Sequence, residues 1–280
     1  MVRVGCHVSI AGSIDRAVDR ALERTCDTFQ IFTRSPRGWK SRDLSPVEVE
    51  GFRDKVADSG IGPVAAHMPY LPNLATPDPA IYARSCEELE KELRRCEVLG
   101  IPYLVTHLGS HRGEGEEQAL VRLLEGINTA FEKAPGKVML LLENTAGTAN
   151  SMGGTFEQIR QIMDGIGEIE RVGCCFDTCH GFAAGYELRT EKGIGDTMDR
   201  FDSVIGLEYL HMIHLNDSKG DLGSRLDRHE HIGLGKIGED GFLLMLHSSP
   251  FTDLPLICET PVDERRDDRE NIEKVRELAA

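Results

Sequence analysis

The chain lacks any apolar run approaching the roughly 18 residues needed to cross a bilayer, and its start, Met1-Val-Arg-Val-Gly-Cys-His7, goes straight into a strand-like pattern without the charged, apolar and cleavage regions of a signal peptide. A cytoplasmic protein with no membrane partner is expected. It also lacks a disulfide framework, because its 8 cysteines are scattered over 280 residues with no Cys-x-x-Cys pair. Most are expected to be small buried apolar side chains, and core packing is the expected role even for the cluster Cys174, Cys175 and Cys179. No Gly-x-Gly-x-x-Gly follows the first strand-like run and no Walker lysine motif occurs, so a nucleotide-cradling loop has no support. Basic residues are in deficit, 32 Lys and Arg against 47 Asp and Glu, for a formal charge of −15. That balance argues against a broad basic surface for non-specific nucleic-acid binding and leaves a local cationic site open. Tryptophan is almost absent, with 1 residue.

What is present is a regular alternation. Short β-rich apolar runs at 3–9, 28–33, 63–67, 103–107, 138–143, 172–177, 209–215 and 254–259 are separated by amphipathic stretches such as 13–24, 46–59, 80–99, 116–131, 155–165 and 263–278. Helix-start signals accompany them: Ser13 before Ile-Asp-Arg-Ala, Ser45-Pro46 with Glu48, and Thr155 with Glu157 and Gln158. Strands separated by helices imply parallel pairing. With no Gly/Pro-rich linker and no break in composition, an α/β fold is expected, a single-domain (β/α)8 barrel over residues 1–280, with an open doubly wound sheet as the alternative.

The ends of the predicted strands carry the chemistry. Six of the eight runs finish on, or one residue past, a residue that can ligate a metal: His67, His107, Glu143, Asp177, His214 and Glu259. In a parallel barrel the C-terminal strand ends open on one face, where active sites are built, so these residues are expected to converge. Taken singly, each reads more simply as a capped or paired polar residue; the repetition favours a metal centre. Loops add His180, three residues after Asp177, and the pair Asp227 and His229, whose spacing of two sends both side chains the same way in extended chain. Four carboxylates and five histidines, without cysteine, suit zinc or manganese and are too many for one tetrahedral ion. Two or three closely spaced divalent ions most naturally serve phosphoryl chemistry.

The stretch Gly173-Cys-Cys-Phe-Asp-Thr-Cys-His-Gly-Phe-Ala-Ala-Gly-Tyr186, with His214-Leu-Asn-Asp-Ser-Lys219 and Asp227-Arg-His229, resembles the endonuclease IV family of apurinic/apyrimidinic endonucleases. The resemblance extends over essentially the whole chain, through Gly5-Cys-His-Val-Ser9, His67-Met-Pro-Tyr-Leu71, Thr106-His-Leu-Gly-Ser-His111, Leu142-Glu-Asn-Thr-Ala-Gly147 and Cys258-Glu-Thr260. It implies a barrel holding three zinc ions, where sites of this kind also accept manganese: one with His67, His107 and Glu143, a second with Glu143, Asp177, His214 and Glu259, and a third with His180, Asp227 and His229. It further implies hydrolysis of the phosphodiester 5′ to an abasic site in duplex DNA, with Glu143 bridging two ions and helping to place the nucleophile, and 3′-hydroxyl and 5′-deoxyribose phosphate ends as products. A monomer fits such an enzyme.

For DNA, the loop Arg34-Ser-Pro-Arg-Gly-Trp39 offers two cations and the single tryptophan as a wedge and phosphate clamp. The resemblance places Arg37 in the groove and Tyr70 and Leu71 beside an extrahelical nucleotide, with a hydrophobic contact at the barrel rim as the lesser alternative for those two. Of the other histidines, His7, His111 and His231 stay outside the ligand set with contacts to ligands or substrate open to them, and His211 and His247 read as structural. Two further functions compete: a metal-dependent sugar isomerase or epimerase, and a zinc-containing protein that recognises damaged DNA without cutting it.

Overall fold

In the computed structural model, which describes residues 2–280, the apolar runs become β1 (Arg3–Cys6), β2 (Phe29–Ile31), β3 (Val64–His67), β4 (Tyr103–His107), β5 (Met139–Glu143), β6 (Val172–Asp177) and β7 (Leu210–His214), then a small hairpin of β8 (Asp217–Ser218) and β9 (His229–Glu230), and finally β10 (Pro255–Cys258). Between them run α1 (Arg16–Glu23), α2 (Pro46–Ser59), α3 (Pro79–Leu99), α4 (Glu116–Lys133), α5 (Phe156–Asp164), α6 (Thr178–Ala184), α7 (Glu191–Val204), α8 (Gly238–Leu246) and α9 (Asp268–Leu278). Eight strands pair in parallel in the order β1-β10-β7-β6-β5-β4-β3-β2. The ring closes where His7, just past β1, bridges Gln30 of β2 in parallel and the Val8 amide donates to the Gln30 carbonyl at 2.8 Å. The fold is therefore the (β/α)8 barrel rather than an open sheet. Gly5 permits the closure: a Cβ there would lie 1.6 Å from the carbonyl oxygen of Thr28.

Helix ends follow local chemistry. Ser45 caps α2 and exchanges hydrogen bonds with Glu48 in a full capping box, Pro46 takes the first turn, and Gly60 ends the helix at φ 69°. Thr155 accepts from the Gln158 amide at the start of α5. Two starts differ from expectation. The Ser13 hydroxyl bonds the Asp15 carboxylate instead of capping, and α1 begins at Arg16. Asp263 is engaged by His231 and Arg265, so the capping box of α9 forms at Asp267 with Glu270.

The core has two parts. Between strands and helices lies the larger one, holding Phe29, Phe52, Phe131, Phe156, Phe176, Phe201 and Phe242, each with essentially no exposure. Inside the barrel, Ala65, Val105, Leu141, Cys175, Met212 and Ile257 form a separate apolar plug, so the barrel is filled and not a pore. All eight cysteines are free thiols, and all but Cys86 are buried, as packing residues should be.

The segment after β2 is tied down by a buried ion cluster. The Arg34 guanidinium lies 2.5 Å from Glu88 and 2.9 Å from Glu92 on α3 and donates to the Gly38 carbonyl at 2.6 Å. Thr33 donates to Glu92 at 2.6 Å, and burial pushes the Glu92 carboxyl above its ordinary range. Arg34 is thus not a free cation of the loop, as the sequence suggests; it is a buried strut, and Arg37 is left as the exposed arginine. Removing one partner of a buried ion pair leaves the others uncompensated, so Arg34→Met is expected to destabilise the chain by about 3–5 kcal/mol in urea denaturation. A change below about 1 kcal/mol would show that the cluster contributes no more than a surface pair.

Candidate metal centre

The two-residue period of a strand explains why the strand ends converge. Each member of the apolar plug stands two positions before a ligand-type residue: Ala65 before His67, Val105 before His107, Leu141 before Glu143, Cys175 before Asp177, Met212 before His214 and Ile257 before Glu259. Residues i and i+2 point to the same face, so side chains aimed inward at plug level are followed by side chains aimed inward one layer nearer the C-terminal mouth. The plug is the floor and the six polar groups lie on it.

Local structure adds three more. β6 passes into α6 without a loop, and the Asp177 side chain caps that helix by accepting from the His180 amide at 2.8 Å. The cap brings the His180 ring back over the mouth. Asp227 and His229 arrive on the β8–β9 hairpin, where Ser218 is paired with His229 and Asp217 with Glu230. The Asp217 carboxylate anchors the following loop by accepting from the amides of Gly235, Ile237 and Gly238.

All nine residues come together. Ligand-type atoms fall into groups with members within 4.8 Å of one another, the first two sharing Glu143: His67, His107 and Glu143; Glu143, Asp177, His214 and Glu259; and His180, Asp227 and His229. A fourth grouping replaces the last with Asp177, Cys179 and His229, but burial pushes the Cys179 thiol up to about 12. Glu143, fully buried, is the hinge of the arrangement. One of its oxygens faces His67 at 3.0 Å and His107 at 3.1 Å, and the other faces His214 at 3.2 Å and His180 at 3.4 Å.

The histidines are oriented from behind. Nδ1 of His67 donates to the Met68 carbonyl at 2.7 Å, that of His180 to Asn144 at 3.0 Å, and that of His229 to Glu259 at 3.0 Å. Each therefore turns Nε2, bare of its proton when neutral, toward the carboxylates, an arrangement common to metal-ligating imidazoles. Nε2 of His229 is buried without a hydrogen-bond partner, 3.6 Å from Asp177 and 4.0 Å from Asp227. A buried donor atom left open beside two carboxylates, in an all-nitrogen-and-oxygen set, fits a divalent cation. Without a cation the same groups compensate one another. Burial works against charge on His180 but is overcome by Asp177 and Asp227, which push the imidazole well above its ordinary value. Burial likewise opposes the charge of Glu143, and His107 and His214 hold its carboxyl well below the usual range. Asp227 is held at about 2, chiefly by its hydrogen bond with His180.

Several contributors escape a reading based on ligand chemistry alone. Asn216 donates to Asp177 at 2.7 Å and accepts from the Glu259 amide at 2.8 Å. Asn144 accepts from the Asp177 amide at 2.7 Å, and Gln30 reaches both His214 and Glu259. Amides placed inside or directly after apolar strands were the available signal, since a buried amide needs partners. Phe32 is another, its ring 4.3 Å from that of His7 and 5.2 Å from that of Tyr70.

A cleft of about 410 Å³ opens over the centre, lined by His67, His107, His180, Asp227, His229 and Glu259 together with Phe32 and Tyr70. On one side it adjoins a cleft of about 810 Å³ bordered by Arg37, Lys40 and the loop after β1. His107 and Asp227 form the accessible rim, their side chains 43% and 52% exposed. Tyr70 is 68% exposed and Leu71 39%, so neither is held in a rim contact that buries it. Trp39 is half-buried, with the Arg84 guanidinium 4.3 Å from its ring centroid, so α3 braces it. His231 is buried in a hydrogen bond to Asp263 at 3.0 Å, and His111 accepts from the Gly113 and Gly115 amides.

Residues 18–279 match the AP endonuclease 2 family model, described as a xylose isomerase-like TIM barrel. A probable endonuclease 4 from Methanoculleus marisnigri is 63% identical over 280 residues, covering 100% of this chain and 99% of that one. Among solved structures, endonuclease IV from Thermus thermophilus is 37% identical with a TM-score of 0.87, covering 99% of this chain and 98% of that one. A D-tagatose 3-epimerase-like protein, 17% identical with a TM-score of 0.72 over 98% of this chain and 96% of that one, shares the fold alone.

Because a cation must displace protons from the imidazoles, zinc added to the metal-free chain is expected to release protons. Since His180 holds its proton above the ordinary histidine range, apparent zinc affinity should fall by about tenfold or more between about pH 8 and about pH 5.5. Calorimetry in buffers of differing ionisation enthalpy measures both quantities, and uptake independent of pH would contradict this assignment.

Proposed function

Because the chain belongs to the endonuclease IV family of xylose isomerase-like TIM barrels, we propose that it is a DNA-repair endonuclease, a metal-dependent hydrolase that cuts the phosphodiester 5′ to an abasic site in duplex DNA and leaves 3′-hydroxyl and 5′-deoxyribose phosphate ends. The observation that carries this reading is the linkage of the three ligand groups, two of which share Glu143 while the third adjoins it through His180. A single-ion proton-transfer site has no use for nine such residues. His67, His107 and Glu143 would hold one zinc ion, Glu143, Asp177, His214 and Glu259 a second, and His180, Asp227 and His229 a third, with manganese an acceptable substitute at a site of this kind. Divalent ions, when bound there, supply positive charge that offsets the negative oxygens of a phosphodiester and its leaving group and lowers the pKa of water.

The chain's own residues set the geometry. Glu143, clamped by histidines on both oxygens, fixes the spacing between two ligand groups and would help to place a nucleophilic water there. The exposed edge made by His107 and Asp227 is where a phosphodiester gains access. We assign DNA contacts to the flanking rim: Arg37 to a phosphate or groove edge, Trp39 to the support of that loop, and Tyr70 and Leu71 to the flank of an abasic nucleotide turned out of the stack. Among the described residues no lysine lines the cleft over the centre, which supports hydrolysis over a Schiff-base lyase route.

The test is incision of a duplex carrying one abasic site. Metal-free chain should leave the duplex intact, and added zinc should restore cutting on the 5′ side of the lesion with a 3′-hydroxyl end. Full cutting by protein shown by elemental analysis to contain no metal, or zinc-loaded protein that binds the duplex without cutting it, would overturn the proposal.

A further inference from the structure

Gln30 is a fully buried amide in the short strand β2, flanked by Phe29 and Ile31. Its carbonyl oxygen lies 2.9 Å from Nε2 of His214, and its nitrogen lies 2.7 Å from an oxygen of Glu259 and 3.1 Å from Nδ1 of His7. These contacts force one assignment of donors and acceptors. The ionised Glu259 carboxylate can only accept, so the amide nitrogen must face it and the amide carbonyl must face His214. A carbonyl can only accept, so His214 carries its proton on Nε2. In the neutral ring Nδ1 is then the free lone pair, and it is Nδ1 that lies 3.2 Å from Glu143, 3.3 Å from Glu259 and 4.0 Å from Asp177. The second hydrogen of the amide is directed at Nδ1 of His7, which accepts it.

His214 differs here from its neighbours. His67, His180 and His229 are fixed by backbone carbonyls and offer Nε2, whereas His214 offers Nδ1 and is fixed by a side chain. Backbone acceptors survive substitution; a side-chain acceptor does not. We propose that Gln30 is a positioning residue that sets the tautomer of His214 so that Nδ1 faces the cation, with His7 holding the amide in the required orientation. This inference rests on the metal reading of the site. It explains why a polar residue occupies a buried position in a strand whose other members are apolar, at a cost that a satisfied amide network offsets.

Nitrogen-15-labelled histidine in the full chain reads the tautomer of His214 directly, in zinc-loaded and chelated samples of the natural protein, Gln30→Leu and Gln30→Glu. In the natural chain His214 should carry a proton on Nε2 in both samples, with Nδ1 bare of a proton in the zinc-loaded one. Gln30→Leu removes the acceptor, and should give a mixture of tautomers together with zinc binding at the most affected site weakened about 10- to 100-fold. Gln30→Glu keeps an acceptor toward His214 but loses the donor to Glu259, so it should keep the tautomer and still weaken zinc. The proposal is overturned if Gln30→Leu leaves His214 protonated at Nε2 with zinc affinity within about twofold of the natural chain, or if Gln30→Glu loses the tautomer. Should Gln30→Leu not fold, Gln30→Glu alone decides. Because the spectrum reports His214 protonation and zinc contact without DNA, failure of the nuclease reading would appear in the incision assay and not in this spectrum.

Discussion

The structure depends on keeping one carboxylate charged where no water reaches it. Glu143 ends β5 with no exposed surface, and an ionised carboxylate in that position is costly unless it is surrounded by donors. Four imidazoles crowd it, two on each oxygen, and offset its charge when they hold protons; they come from β3, β4, β7 and α6. The elements around the barrel must therefore agree on one point. A cation bound by the same groups would take over the role that protons play in its absence.

Much of this was legible in the sequence because strand geometry is periodic. An apolar residue two positions before a histidine or carboxylate, repeated in β3, β4, β5, β6, β7 and β10, is a plug followed by a ligand layer, and both the (β/α)8 architecture and the convergence of His67, His107, Glu143, Asp177, His214 and Glu259 follow from it. His180, Asp227 and His229 were visible as residues with metal chemistry, although the means that bring them over the mouth, the Asp177 cap and the β8–β9 hairpin, are tertiary facts. Gln30, Asn144 and Asn216 are harder to find because an amide carries no charge and ligates weakly. Their importance lies in the partners they meet across the barrel. Arg34 shows the opposite case: its charge invites a surface role in the sequence, and Glu88 and Glu92, more than fifty residues away on α3, draw it inside.

The burial of Arg34 also shapes the rim. By donating to Gly38 from within, it curls the segment that presents Arg37, while Arg84 covers Trp39. A chain with a formal charge of −15 thereby concentrates exposed positive charge, from Arg37 and Lys40, along the cleft that adjoins the ligand groups. Attraction for a polyanion is local to the site, and the acidic remainder of the surface disfavours attachment elsewhere.

The central claim is that the nine residues around Glu143 constitute a centre for several ions. Anomalous diffraction at the zinc edge from crystals of the zinc-loaded protein tests it most directly. The account predicts three peaks: one among His67, His107 and Glu143, one among Glu143, Asp177, His214 and Glu259, and one among His180, Asp227 and His229. Peaks confined to the protein surface, or a single peak that leaves Glu143 without a metal neighbour, would contradict it.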